Sequence, residues 1–132
     1  EASAMHGITT ERALQEGEAL LDVIYAFGAD LNQSQLVVGH NLDYDLHILG
    51  AEYVRLGYDS RIMFARPTLC TMLATIDFCQ IPGNFGYKWP KLMELYTKLF
   101  GQEFDGAHDA MADIRATKDC FFELLKRGIV RL

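Results

Sequence analysis

The chain has 132 residues, half of them apolar, and a net charge of −6. Those figures suggest one folded domain with enough apolar material for a core. They argue against a general basic surface for nucleic acid, although bound divalent cations would reverse the sign locally. No apolar run approaches the roughly 20 residues that cross a bilayer, and no basic leader is visible.

The first helix is predicted to begin at Thr9 or Thr10, either of which can cap it, with Glu11 in the first turn. Leu14, Leu21, Ile24 and Tyr25 recur at helical spacing, and Gly28 is expected to end this helix. Asp30 to Gln35 reads as a polar connector. Leu36 to Gly39 is a short continuous apolar run, which suits a strand buried on both faces. A second helix is expected from the region Asp43 to Asp45 through Ile48, Leu49, Tyr53 and Leu56 to Gly57. Helix, strand and helix in that order indicate an α/β domain.

Ser60 to Leu69 is ambiguous, with Ile62 to Phe64 a candidate strand and Pro67 a breaker. Thr71 to Phe78 reads as a short helix and Ile81 to Tyr87 as a loop. A helix is expected from Trp89 or Pro90 to Phe100, with Pro90 acceptable in a first turn. The longest helix runs from Asp109 to Lys126, with Ile114, Thr117, Phe121, Leu124 and Leu125 on its apolar side and Gly128 at its end. Five helical segments thus share one confident strand. Either the protein is mostly helical or further strands lie outside the chain. Cys70, Cys79 and Cys120 fit no zinc spacing and read as reduced, buried thiols of a cytoplasmic protein.

Two strings carry chemistry. His40-Asn41-Leu42-Asp43-Tyr44-Asp45 follows the strand, and His108-Asp109-Ala110-Met111-Ala112-Asp113 opens the last helix. Carboxylates at element ends supply the oxygen ligands that Mg²⁺ or Mn²⁺ prefer. On a continuous helix His108 and Asp113 would stand ~140° apart, so they converge only if His108 lies at the helix entrance. A histidine there can take a proton from water near neutral pH. Each carboxylate alone also reads as an ordinary helix-start acid. Asp43, Asp109 and His47 read as structural, and His40 as packing under the strand end. Phe85, Tyr87 and Trp89 offer base-stacking surfaces, but beside Leu92, Leu95 and Tyr96 they read as core and loop packing.

Together the strings resemble the second and third motifs of the DnaQ-like 3′–5′ exonucleases, the DEDD superfamily with a histidine in its third motif. The first is similar to His/Asn-Asn-x-x-aromatic-Asp and the second to His-x-Ala-x-x-Asp. Met5 to Thr9 resembles the family's loop-to-helix entry, and Lys88 to Leu95 its Lys-x-x-x-Leu-x-x-Leu segment. The resemblance spans about residues 5 to 125.

The resemblance implies an RNase H-like α/β fold and hydrolysis from the 3′ end with two Mg²⁺ or Mn²⁺ ions. It implies metal-site carboxylates at Asp45 and Asp113, a general base at His108, and contacts to the terminal nucleotide from His6 and Asn41. Tyr44 takes the aromatic position, expected beneath the site. The implied partner is single-stranded or 3′-terminal nucleic acid, DNA before RNA, with a polymerase as a further partner for a proofreading, polymerase III epsilon-like enzyme.

The family's first motif, Asp-x-Glu on its first strand, has no counterpart: Glu16-Gly17-Glu18 falls within a helical segment. Residues 1–132 are therefore expected to be the C-terminal part of one exonuclease domain, with the N-terminal strands missing from this chain and little activity alone. Two other readings stay open. One is a non-catalytic binding module on the same fold, and the other an unrelated helical domain with chance motifs.

Overall fold

The computed structural model describes residues 7–132. Thr9 caps α1 (Thr10–Glu16) by accepting the Arg12 amide at 3.2 Å. The expected single first helix is in fact two, because the chain breaks at Gly17. A Cβ there would stand 2.3 Å from the Ala13 carbonyl oxygen, so the turn excludes any side chain. The second helix, α2 (Leu20–Gln33), runs through Gly28 rather than ending at it. Burial of Ile24 and Leu31 on one face outweighs the local cost of a helical glycine.

The strand β1 (Val37–Gly39) leads into α3 (Leu42–Arg55). Ile62 to Phe64 belongs to a 3-10 helix, Ser60–Phe64, and not to a strand. Asp59 caps it through the Arg61 amide at 2.9 Å. The strand that the sequence left unassigned is β2 (Thr68–Cys70), parallel to β1 with Val37 opposite Thr68 and Gly39 opposite Cys70. Two short helices follow, α4 (Thr71–Ala74) and α5 (Ile76–Cys79). The expected loop after them contains a hairpin, β3 (Pro82–Gly83) against β4 (Gly86–Tyr87). Helix α6 (Leu92–Phe100) starts later than its sequence predicts, leaving Trp89 and Pro90 in extended chain. Helix α7 (Ala110–Lys126) agrees with the expected span.

The parallel strands lie between two apolar clusters. Ile24 and Leu31 of α2, Leu42, Leu46 and Tyr53 of α3, and Met63 fill one side, with Val37 and Cys70 facing them. Leu95 and Leu99 of α6, with Cys120 and Leu124 of α7, fill the other, joined by Leu69 and Val130. Leu69 and Cys70 serve opposite faces, as successive strand residues must. The result is a layered α/β domain. Gly128, at φ 68°, ends α7 by letting the Gly128 amide reach Leu125 O and the Ile129 amide reach Leu124 O.

Several apolar residues face solvent, among them Ile48 and Val54 on α3 and Phe122 on α7. Ile114, expected on the apolar side of α7, is 62% exposed, while Ala116 and Cys120 turn inward instead. Cys79 and Cys120 are free and buried as expected, but Cys70 is only half-buried.

Candidate active site at the end of the parallel strands

The turn that carries the first string is shaped by two backbone constraints. A Cβ on Gly39 would meet Leu42 Cδ1 at 2.8 Å, so glycine permits α3 to start this close to the strand. Asn41 sits at φ 66°, ψ 38°, a left-handed conformation that asparagine tolerates better than most residues. Its side chain makes no cap bond and stands exposed. The reversal buries Leu42 and puts Asp43, Tyr44 and Asp45 on the first turn of α3, where free amides and the helix dipole favour negative charge.

The three residues differ in role. Asp43 accepts the His47 Nδ1–H on its carbonyl at 2.7 Å and faces the same ring with its carboxylate, which agrees with a structural role for both. Tyr44 is 63% exposed and so does not pack beneath the site as expected. Asp45 keeps an exposed surface, yet the protein around its carboxyl removes enough water to raise its pKa above the ordinary carboxylate value. An acid held this way gains from a nearby cation.

His40 anchors the turn. Its Nε2 lies 2.9 Å from the Pro90 carbonyl oxygen, which only accepts, so Nε2 carries the hydrogen. Its Nδ1 lies 3.0 Å from the hydroxyl of fully buried Thr71, which also lies 3.1 Å from Gly39 O. Burial lowers the His40 pKa, with partial opposition from the Pro90 carbonyl and the charge of Asp113. The neutral ring and Gly39 O therefore compete for the single Thr71 hydroxyl hydrogen. Neither partner was legible beforehand: Thr71 is 31 residues away and Pro90 is 50.

The second string forms the entrance to α7. Asp109 caps the helix by accepting the Ala112 amide at 3.0 Å, and its own amide returns to Gly106 O at 2.9 Å. Within this tight turn His108 has φ 75°, a strained value for a residue with a Cβ. Its amide donates to Asp113 Oδ1 at 3.3 Å, which brings the two residues together as the motif requires. The imidazole is exposed and has no hydrogen-bond partner among the described residues, so it is accessible to a proton from water. Asp109 also acts electrostatically on Arg12, which sets α1 near this entrance.

Helix α7, which the second string opens, packs against β1, which leads into the first. Asp113 lies in the first turn of α7, and His40 follows the carboxyl end of β1, where ligands of open α/β sheets generally bind. The donor chemistry of Asp45 and Asp113 fits a hard divalent cation. Among the described residues, however, no three His, Cys, Asp or Glu side chains gather to hold a metal. These residues therefore fit part of a metal site. His6 lies outside the described residues. No helix among those residues is long and apolar enough to cross a membrane.

Two helices with acidic first turns, α3 and α7, thus adjoin the parallel strand β1 in a layered α/β domain. The family model described as Exonuclease matches residues 1–121. A relative, the uncharacterized exonuclease CP81 of Escherichia phage 186, is 32% identical over 133 residues, covering 97% of this chain and 67% of that protein. The chain belongs to the DnaQ-like exonuclease family. Membership supports nuclease function on nucleic acid in a family that generally depends on divalent metal.

Proposed function

We propose that the chain is part of a 3′–5′ exonuclease that removes nucleotides from single-stranded or 3′-terminal nucleic acid, DNA before RNA, in the cytoplasm. The observation that supports this reading is the packing of α7 against β1, which sets the helix opened by the second motif against the strand that leads into the first. Asp45 and Asp113 are the carboxylates for Mg²⁺ or Mn²⁺, and two such ions would clamp the attacking and leaving oxygens of a phosphodiester. His108 takes the proton of the attacking water. Asn41 and His6 contact the terminal nucleotide. A polymerase is the proposed partner of a proofreading role.

The remaining carboxylates are proposed to come from an Asp-x-Glu strand in the same polypeptide or another, which would extend the sheet and cover residues such as Ile114. The 132-residue chain alone is then nearly inactive. The test is a Mg²⁺-dependent assay on end-labelled single strands, with this chain and an N-terminally extended one. Stepwise release of nucleoside monophosphates from the 3′ end by the extended chain is expected. Robust cleavage by the short chain would defeat the incomplete-site argument. The lack of a three-ligand cluster among the described residues favours a second reading, a non-catalytic nucleic-acid- or protein-binding module. Asp113→Asn separates the two: lost hydrolysis supports the enzyme, and unchanged function supports the module.

A further inference from the structure

The hairpin β3–β4 exposes aromatic rings where packing was expected. Phe85 at its tip is wholly exposed, Tyr87 is 51% exposed and Trp89 is 61% exposed. Tyr87 and Trp89 alternate with Lys88, whose ammonium pairs with Glu94 at 2.8 Å, and with Pro90, which is fully buried. The alternation turns the body-facing residues inward and both rings outward. The support is well fixed. Lys88 N donates to Ile81 O at 2.9 Å, and a Cβ on Gly83 would stand 3.0 Å from Gly86 O. Gly86 has φ 115°, which a residue with a Cβ rarely adopts. Rings held this way present apolar area at little entropic cost on binding.

Two facts select the occupant. No acidic residue falls between Asp77 and Glu94, in a chain of −6, and of the two lysines there Lys88 is paired with Glu94. And the segment ends on Pro90, whose carbonyl holds His40 beside the candidate active site. A polyanion with flat apolar bases matches the rings and meets no acidic side chain between Asp77 and Glu94. Alternate positions of an extended chain repeat at about 6.8 Å, twice the 3.4 Å rise of a duplex strand. That spacing suits an unstacked, extended strand.

We infer that Phe85, Tyr87 and Trp89 form a base-stacking subsite that receives single-stranded nucleic acid next to the candidate active site. This rests on the nucleic-acid reading above. Aromatic stacking tolerates any sequence because every base has a π-face.

Trp89 is the only tryptophan in the 132 residues, so it reports its own contacts. Its fluorescence is followed while a short oligodeoxythymidylate is added in EDTA, which prevents metal-dependent hydrolysis. Inorganic polyphosphate serves as a charge-only control. Quenching by the oligonucleotide and none by polyphosphate is expected. Phe85→Ala and Tyr87→Ala should each weaken binding roughly tenfold or more. Phe85 touches no core residue, so its loss leaves the fold intact. No quenching, equal quenching by polyphosphate, or wild-type affinity in both variants would overturn the subsite. Quenching in an extended chain that never hydrolyses DNA with Mg²⁺ supports the subsite and sinks the exonuclease reading. Hydrolysis without quenching sinks the subsite alone.

Discussion

The Nε2–H of His40 donates to the carbonyl oxygen of Pro90 at 2.9 Å, tying the end of β1 to the chain that enters α6. This single bond joins the two halves of the candidate site region, because His40 opens the turn to Asp45 and Pro90 closes the aromatic segment.

His40→Ala should therefore lower stability by about 1–3 kcal/mol, since the Pro90 carbonyl loses its partner inside the protein. A pH signature accompanies it. Burial holds His40 below its ordinary pKa of 6.5, so between the folded pKa and 6.5 the unfolded chain binds more protons. Stability is whole above pH 6.5 and falls as the pH drops through that window. Urea titrations on either side of it should show this slope in the wild type and a flatter one in the variant. Equal slopes would sink the assignment.

Asp45 gives the opposite sign. Desolvation raises its folded pKa above the ordinary 3.8, so the ionised carboxylate lowers stability at neutral pH. That penalty fades as the pH falls through the folded pKa. Asp45→Asn should raise the melting temperature at neutral pH without divalent ions and match the wild type in acid. Added Mg²⁺ should stabilise the wild type more than the variant. In the complete protein, nuclease activity should drop by about 100-fold or more, a loss of ~2.7 kcal/mol in transition-state stabilisation. A variant less stable than wild type at neutral pH would contradict the desolvation argument.

What the sequence revealed followed the range of the interactions involved. The span of α7 rests on local capping and local backbone geometry, and it could be read directly. The break at Gly17 and the passage of α2 through Gly28 depend on an overhanging carbonyl and on distant core partners, and the pattern inverted them. β2 stayed hidden because three residues flanked by Pro67 and a helix carry too little periodicity. The rings of Phe85, Tyr87 and Trp89 looked like core because composition does not reveal which face of an extended segment meets solvent. His40 was recognised, but its partners Thr71 and Pro90 come together only through the fold.

Leu124 tests the layer between the sheet and α6. It is fully buried, and its carbonyl accepts the amide that closes the end of α7. Leu124→Ala should cost about 2–5 kcal/mol through lost burial and a residual cavity. Cys120 reports the opening from within. Its thiol is buried one turn away, and desolvation pushes its pKa up to about 12. It should resist alkylation until the protein unfolds. In the variant its labelling should speed up roughly 30-fold or more, followed by mass spectrometry, while half-buried Cys70 changes less. Rapid Cys120 labelling in the native wild type would contradict this packing.

His108 allows the backbone and the imidazole to be separated. Its φ of 75° strains any residue with a Cβ, whereas glycine accepts it freely. The ring is exposed and makes no contact on which folding depends. His108→Gly should thus keep or slightly raise stability, while His108→Ala keeps the strain. If the imidazole takes the proton of the attacking water, both variants of the complete protein should lose about 10²- to 10⁴-fold in turnover. Added imidazole should restore part of it in both. The discriminating result is the pairing: a loss confined to His108→Gly would trace the effect to the relaxed backbone, and equal loss in two stable proteins would trace it to the ring.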